Sequence, residues 1–381
     1  MSDRDAGEHP SPREERRPVL LVLTPDFPPS VGGMQQHVFR FVELMPGFRS
    51  TVVTLDAPGA AEFDSQSGVA TVRVRAGRRH ALDIAVLNAA SLRAGLRLRP
   101  DVILSGHIVV APAARALSLL LSAPVAQMFY AKEIGGRPRL AAFAARHADV
   151  CLMVSRYAEG VLADAGGRPR RSVRISPGVD IPAETAPLPA EHPTIVTVSR
   201  LEDRYKGHDV MLRALAAVRE RVADVRWVVV GEGPLRGELE GLARTLGVQD
   251  AVRFLGSVPD RERNEWLRRA TVFAMPGRLP GGRLAGEGYG IVYLEAGTYG
   301  KPVVAGNVGG SAESVRDGRT GLLVDPTDVA AVAAALVRLL EDGDLARRLG
   351  QEGVAHARER AWPTVSARAE EVLMSLLGRG A

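Results

Sequence analysis

The chain has 381 residues, which is long for a single hydrophobic core and sufficient for two domains, and its 46% hydrophobic and 24% charged residues are typical of a globular protein. Its most apolar stretch, residues 116–131, is too short to cross a membrane and is interrupted by Pro124. The 5% of aromatic residues and the lack of an interleaved basic stretch argue against a nucleic-acid-binding surface. The single cysteine, Cys151, excludes an intramolecular disulfide bond and a cysteine-rich metal site, so we expect a cytoplasmic protein.

In chain order, the first predicted elements are a tail and an α/β domain. Residues 1–17 mix charges with proline and lack an apolar core, which predicts a disordered tail rather than a signal peptide. Residues 18–180 alternate short apolar runs with amphipathic segments, and this pattern predicts parallel strands joined by crossover helices. Cys151 lies in one of these runs and is expected to be a small buried side chain. The predicted strands are VLLVLT, TVVTL, TVRV, DVIL, PVAQMF, DVCLMV and SVRI.

A proline-rich stretch, residues 181–193, interrupts the alternation and predicts a linker. The alternation then restarts, so residues 181–361 form the second predicted domain. Its predicted strands are TIVTVS, VRWVVVG, VRFLG, TVFAMP, PVVAG and GLLV. Residues 362–381 predict a helix that either packs back on the first domain or is a plain terminal helix. The sequence thus predicts two doubly wound, Rossmann-like α/β domains with ligands bound in the cleft between them.

The positive charge is concentrated in the first predicted domain. Residues 18–180 contain 19 Arg and Lys against 12 Asp and Glu, a net charge of +7, whereas residues 181–381 have a net charge of −1. This field favours an anionic acceptor or an anionic membrane surface, although exposed arginines also simply cover protein surfaces. The basic residues that flank an amphipathic stretch are Arg78, Arg79, Arg93, Arg97 and Arg99.

A Gly-Gly pair follows the first predicted strand. Gly32 and Gly33 precede a predicted helix, where glycine lets the backbone approach a ligand and the helix N-terminus offers N–H groups to an anion. The pattern is not GxGxxG, so the fingerprint of a nicotinamide or flavin cofactor is absent, and no cofactor is expected. A Gly-Gly pair is also consistent with an ordinary turn.

The second predicted domain carries a more specific pattern, GEGYGIVYLEAG. A helix that begins near Gly290 would direct the N–H groups of Gly290, Ile291 and Val292 toward a diphosphate. Glu287 would then lie near a bound sugar, and Glu295 would reach the diol of a ribose. The alternative is a helix whose glutamates face solvent.

Two cations follow the first strand of the second predicted domain. Arg200 and Lys206 can neutralise a departing diphosphate, although they would also suit a solvated turn. The chain has only three lysines against 46 arginines, so a lysine at this strand end suggests a chemical role.

Together these motifs resemble the family 4 retaining glycosyltransferases of GT-B architecture, over about residues 18–375. The segment RLPGGRLAGEGYGIVYLEA is especially similar to bacterial phosphatidylinositol mannosyltransferases and their actinobacterial relatives. The resemblance implies that Glu287 contacts donor-sugar hydroxyls and that His107 approaches the same sugar. It also implies nucleotide and diphosphate contacts by the remaining residues of the donor site, namely Gly32, Gly33, Arg200, Lys206, Gly290, Ile291, Val292 and Glu295.

One segment departs from the family pattern. Many members have a His-Gly-x-Glu-like sequence where this chain has Tyr130, Ala131, Lys132 and Glu133. That loop lies on the acceptor side, so the acceptor stays open between an anionic lipid at the inner membrane surface and a soluble natural product or cyclitol. The donor stays open between UDP- and GDP-linked hexoses.

The resemblance also implies retention of anomeric configuration. No carboxylate in the motifs is an obvious nucleophile, so we expect front-face attack, in which the departing diphosphate deprotonates the acceptor while Arg200 and Lys206 stabilise its charge. We expect no metal, because the Asp-x-Asp match at Asp342 and Asp344 falls between late helices, far from the donor motifs. The alternatives are a sugar-nucleotide epimerase, a sugar phosphorylase and a non-catalytic nucleotide-sugar-binding scaffold.

Overall fold

The computed structural model describes residues 17–378 except residues 31, 76, 78, 79 and 280–285. Residues 1–16 of the predicted tail, and Arg78 and Arg79 of the basic stretch, lie outside the described residues. Within the described ranges, no helix combines the length and the apolarity that a membrane span requires.

All seven strands predicted in the first half are present and form one parallel sheet, in the order β3-β2-β1-β4-β5-β6-β7. The central strands are fully buried because helices cover both faces of the sheet, and this explains why they are almost continuously apolar. The strands are β1 (Val19–Leu23), β2 (Arg49–Leu55), β3 (Ala70–Val74), β4 (Val102–Ser105), β5 (Val125–Phe129), β6 (Val150–Met153) and β7 (Ser172–Arg174).

Helices connect these strands as crossovers. Proline lies in the first turn of α4 and of α6, where its missing N–H removes no helical bond, and Ser155 caps α7 by accepting from the N–H of Ala158. Cys151 on β6 is fully buried, as predicted. The helices are α1 (Gly33–Glu43), α2 (Ala60–Ser67), α3 (His80–Leu98), α4 (Ala111–Leu121), α5 (Ala131–Gly136), α6 (Pro138–His147) and α7 (Arg156–Asp164), with a 3-10 turn at Ile108–Val110.

The six strands predicted in the second half form a second parallel sheet, in the order β10-β9-β8-β11-β12-β13. They are β8 (Thr194–Val198), β9 (Arg226–Val230), β10 (Val252–Gly256), β11 (Val272–Met275), β12 (Val303–Gly306) and β13 (Gly321–Val324). The accompanying helices are α8 (His208–Arg221), α9 (Arg236–Thr245), α10 (Asp260–Arg269), α11 (Ile291–Thr298), α12 (Ser311–Ser314), α13 (Val329–Glu341) and α14 (Gly343–Glu359), with a 3-10 turn at Arg204–Lys206.

Each sheet reverses its strand order once, between β1 and β4 in the first and between β8 and β11 in the second. In open α/β sheets, ligands bind beyond the carboxyl ends of the strands at this reversal. The loops after β1 and β4, and those after β8 and β11, are therefore the first places to look for a site.

The last helix, α15 (Trp362–Leu377), returns to the first domain. Trp362 is 3% exposed, and its ring centroid lies 5.4 Å from that of His37 on α1. Glu370 accepts a 2.7 Å hydrogen bond from the N–H of Gly47. The two segments that cross between the domains meet at Val179 and Ala361, which form a parallel bridge.

Candidate functional site

Helix α11 begins at Ile291, as predicted, because Gly290 adopts a conformation that favours glycine. Gly290 has φ of 86°, and a Cβ at this position would lie 2.4 Å from the ring of Tyr293. The N-terminus of α11 faces the first domain. The Cδ1 atom of Ile291 would lie 3.6 Å from a Cβ placed on Gly33, at the start of α1. The two predicted diphosphate-binding helix starts therefore oppose each other across the cleft.

Two glycine-rich loops stack against each other just before α11. The N–H of Gly310 donates a 2.8 Å hydrogen bond to the carbonyl of Glu287. A Cβ on Gly310 would lie 2.1 Å from the carbonyl oxygen of Gly288, so no side chain fits there. This packing fixes the backbone on either side of Glu287.

The carboxylate of Glu287 forms a close ion pair with the ammonium group of Lys206. Burial alone would raise the pKa of Glu287. The charge and hydrogen bond of Lys206 and the N–H groups of Tyr289 and Gly288 outweigh burial, so the pKa is lowered. Glu287 is therefore an anion at neutral pH, and it can accept hydrogen bonds from hydroxyl groups. The sequence assigned these two residues to different parts of the donor, whereas the structure pairs them.

Arg200 and Glu295 are the other two charged residues predicted for the donor site of the second domain. Arg200 follows β8 and is exposed, with its guanidinium 3.1 Å from the carboxylate of Glu202. Glu295 is half-buried on α11. Burial raises its pKa, Arg263 opposes that rise, and Asp180 and Asp260 add to it. A half-buried carboxyl group is stabilised by hydrogen-bond donors, and the hydroxyls of a ribose are donors of this kind.

On the first-domain side, His107 follows β4 and is 8% exposed. Its Nδ1 accepts a hydrogen bond from the N–H of Val109 at 3.1 Å, and its Nε2 lies 3.0 Å from a carboxylate oxygen of Glu133. Because Nδ1 is an acceptor, the proton of the neutral ring resides on Nε2 and is donated to Glu133. Asp26, in the loop after β1, lies 4.0 Å from the same Nε2.

Glu133 belongs to the segment that departs from the family pattern. Its carboxylate also accepts hydrogen bonds from the N–H groups of Ile108 and Tyr130, each at 3.1 Å. Burial raises the pKa of Glu133 to about 8, and these two N–H groups offset only part of that rise. The residue ties the ends of β4 and β5 together, so its position is that of a structural and electrostatic anchor for His107.

The other two residues of that segment face in different directions. Tyr130 is 8% exposed, and its hydroxyl lies 3.3 Å from Nδ1 of His37, in the interior of the first domain. Lys132 is exposed and crosses the cleft, where its ammonium group lies 3.1 Å from Asp203 of the second domain. Their part in acceptor binding stays a prediction, and for Tyr130 it would require the buried hydroxyl to turn outward.

Two residues that the sequence did not single out also connect the domains. Tyr157 accepts a 3.0 Å hydrogen bond from the N–H of Gly286, and Glu313 accepts two from the start of α7. Both pairs join residues more than 125 positions apart in the chain. Ser155 is a typical N-cap residue and indicates a helix start. No local sequence pattern, however, indicates that Tyr157 or Glu313 forms a hydrogen bond across the cleft.

The Asp-x-Asp match at Asp342 and Asp344 lies at the junction of α13 and α14. Asp342 caps α14 by accepting a 2.9 Å hydrogen bond from the N–H of Leu345, and Asp344 pairs with Arg347. Across the part of the chain that the structure describes, no group of three or more His, Cys, Asp or Glu side chains is arranged to hold a metal ion.

Comparison with known proteins agrees with this arrangement. Residues 31–182 match the model of Glycosyltransferase Family 4, and residues 183–356 match that of the Glycosyl transferases group 1. The structure of HepE from Anabaena in complex with UDP and glucose covers 94% of this chain and 100% of its own, with a TM-score of 0.79 and 21% identity, a likeness of fold.

Curated relatives match either nearly the whole chain or about half of it. The GDP-mannose-dependent alpha-(1-6)-phosphatidylinositol monomannoside mannosyltransferase of Mycolicibacterium smegmatis is 36% identical over 93% of this chain and 98% of its own length. The D-inositol 3-phosphate glycosyltransferase of Streptomyces scabiei is 38% identical over 44% of this chain and 38% of its own. The protein is an enzyme that transfers a sugar from a nucleotide-sugar donor, and the chain belongs to the family 4 glycosyltransferases of GT-B architecture.

Proposed function

We propose that the protein transfers mannose from GDP-mannose to a hydroxyl group of a phosphatidylinositol-type glycolipid, with retention of configuration. The observation that carries the proposal is the Lys206–Glu287 ion pair beside the Gly290-capped start of α11. It supplies a cation for a diphosphate and an anion for sugar hydroxyls at one point of the cleft.

The choice of donor and acceptor is supported by the full-length relatives. Those relatives are named as GDP-mannose-dependent enzymes acting on phosphatidylinositol monomannoside, and the 36% identity extends over nearly the whole of both chains. The UDP-bound neighbour is 21% identical, so it bears on the fold and not on the nucleotide. GDP is therefore preferred over UDP.

The proposed reaction is a front-face displacement. The bond between the anomeric carbon and the diphosphate oxygen breaks, and the acceptor hydroxyl forms its new bond to the same face of that carbon. The hydroxyl proton passes to the departing diphosphate, whose charge Lys206 and Arg200 stabilise. These cations supply the positive charge at the leaving group, so we propose that no divalent ion is required.

A lipid acceptor implies contact with a membrane, and the outer face of α3 and α4 suits this contact. Side chains exposed there by 43–66% are Leu82, Val86, Leu96, Leu119 and Leu120. Arg93 and Arg97 are exposed on the same helices. The single acidic residue of α3 and α4, Asp83, is buried. Apolar side chains next to arginines, without exposed carboxylates, favour the surface of an anionic bilayer.

Product analysis tests the catalytic proposal. The purified protein is incubated with GDP-mannose or a UDP-hexose, with a phosphatidylinositol mannoside or inositol phosphate as acceptor, and with or without EDTA. We expect a mannosylated lipid, an α-linkage by NMR, and turnover that EDTA leaves within about twofold. Transfer only to inositol phosphate would favour a soluble acceptor. Epimerised donor, phosphate-dependent cleavage or binding without turnover would support the epimerase, phosphorylase or scaffold alternatives.

Vesicle sedimentation tests the membrane contact. Wild type is expected to sediment with vesicles containing phosphatidylinositol at low salt, and the double variant Leu119→Ser with Leu120→Ser is expected to remain in the supernatant. Leu377→Ser, which alters an exposed leucine on α15, is the matched control. Equal sedimentation of both variants, or no binding by wild type, would contradict this contact.

A further inference from the structure

The first turn of α7 is capped by a side chain from the other domain. The carboxylate of Glu313 on α12 accepts hydrogen bonds from the N–H groups of Arg156 at 3.0 Å and Tyr157 at 2.9 Å. The Ser155 hydroxyl accepts a 3.0 Å hydrogen bond from the N–H of Ala158. The first N–H groups of a helix have no partner within it, so Glu313 satisfies two groups that the first domain leaves open.

The same turn holds the donor loop at a second point. The hydroxyl oxygen of Tyr157 accepts a 3.0 Å hydrogen bond from the N–H of Gly286, the residue immediately before Glu287. On the other side, Gly310 precedes α12 and donates its N–H to the carbonyl of Glu287 at 2.8 Å. The backbone around Glu287 is thus held on one side by Tyr157 of α7 and on the other by Gly310, which precedes the helix whose Glu313 caps α7.

This support matters because Glu287 lies in a flexible stretch of sequence. Gly286, Gly288 and Gly290 surround it, and glycine imposes little restriction on backbone conformation. The loop is therefore held by groups on several sides: Lys206 pairs with the Glu287 carboxylate, Gly310 bonds its carbonyl, and Tyr157 bonds Gly286. The Tyr157 bond crosses between the domains to the loop itself, whereas the Glu313 carboxylate joins α7 to α12, whose N-terminal Gly310 bonds Glu287.

We propose that Tyr157 and Glu313 are positioning residues that couple domain closure to the placement of Glu287. In the closed arrangement both bonds form and the Glu287 carboxylate is directed at the donor sugar. When the domains separate, the hydrogen bonds are lost and the glycine-flanked loop relaxes. The inference rests on the proposed role of Glu287 as a contact of the donor sugar.

A third contact between the domains is weaker. The Lys132–Asp203 ion pair spans the cleft at 3.1 Å, but the Lys132 side chain is 57% exposed. Exposed pairs of this kind contribute little to stability. The coupling is therefore assigned to Tyr157 and Glu313.

Kinetics separate positioning from general structural damage. Tyr157→Phe and Glu313→Gln are each expected to lower kcat/KM for GDP-mannose about tenfold, while the affinity for GDP changes less than about twofold. In a Glu287→Gln background, the same substitutions are expected to lower kcat/KM by less than about a further twofold, because they act through Glu287. Glu352→Gln is the control, since Glu352 pairs with Arg319 within the second domain. Multiplicative losses in the double variants would overturn the proposal.

Closure is measured independently of activity. Leu119→Cys in the first domain and Arg347→Cys in the second are exposed labelling positions, and the natural Cys151 is buried. Energy transfer between dyes at these sites is expected to fall in Tyr157→Phe and Glu313→Gln and to stay unchanged in Glu352→Gln. Unchanged transfer in both variants would overturn the coupling, even if the protein did not use GDP-mannose. Failure of wild type to bind GDP would overturn the proposed function alone.

Discussion

The Nε2 atom of His107 lies 3.0 Å from the carboxylate of Glu133, and the two residues follow neighbouring parallel strands. This contact uses a carboxyl group that burial holds at a pKa of about 8. An acidic group with a raised pKa binds more protons in the folded chain than in the unfolded chain, between its ordinary value and the raised one. The relationship therefore has a measurable consequence for stability.

We expect the contribution of Glu133 to the free energy of unfolding to fall as the pH rises from about 5 to 8. The unfolded carboxyl loses its proton near its ordinary pKa, whereas the folded one retains it until about pH 8. Urea denaturation of wild type and Glu133→Gln at several pH values measures the difference between their free energies of unfolding. We expect this difference to change by roughly a few kcal/mol between about pH 5 and 8. For the control Glu352→Gln, the difference from wild type in the free energy of unfolding should not depend on pH. The same pH independence for Glu133→Gln would contradict a raised pKa of Glu133.

Glu287→Gln is expected to lower kcat/KM for the nucleotide sugar about a hundredfold. The substitution removes the charge that pairs with Lys206 and that accepts hydrogen bonds from the sugar. The affinity for the nucleotide diphosphate alone should change less than about threefold, as measured by calorimetry. Glu341→Gln, which alters an exposed ion pair with Arg221, serves as control. A parallel loss of nucleotide affinity would contradict a contact that is specific to the donor sugar.

Glu295→Ala is expected to abolish thermal stabilisation by the nucleotide. A ligand that binds only the folded state at one hundred times its Kd adds about 2.7 kcal/mol, equivalent to several degrees in Tm. Wild type should show this shift with GDP, and the variant should shift by less than about 1 °C. Because burial already disfavours the charged form of Glu295, the unliganded variant should be no less stable than wild type. Equal shifts in the two proteins would remove Glu295 from the nucleotide site.

Trp362→Ala is expected to destabilise the protein by about 3–5 kcal/mol, the usual loss for a large buried side chain. The indole is 3% exposed and packs on His37 and Phe41 of α1. Urea denaturation measures the loss, with Leu377→Ala near the exposed end of the same helix as control. A small loss would mean that α15 is not part of the first core.

The strands and the start of α11 could be predicted because their signals are local. Short Val- and Leu-rich runs between amphipathic segments allow few arrangements other than a covered parallel sheet, and a glycine before a helix marks its boundary. The pairing of Lys206 with Glu287 could not be predicted, since a charged residue at a strand end can face either a ligand or a neighbouring side chain.

The roles of Tyr157 and Glu313 were beyond sequence patterns for a different reason. Each meets its partner only because two separate domains meet at the cleft, and periodicity describes single elements. The burial of Tyr130 is similar, because a phenol at the end of a strand has both an apolar ring and a polar hydroxyl. The neighbouring sequence does not indicate whether the ring or the hydroxyl determines the orientation of the Tyr130 side chain.

The return of α15 to the first domain also affects the order in which the two domains can finish folding during synthesis. Trp362, Ala369 and Leu373 belong to the first core, yet the ribosome reaches them only after the entire second sheet has been made. Until then the nascent first domain exposes an apolar surface along α1 that α15 covers in the folded protein. The second domain can therefore finish folding before its N-terminal neighbour does, which inverts the usual order for a protein synthesised from its amino end.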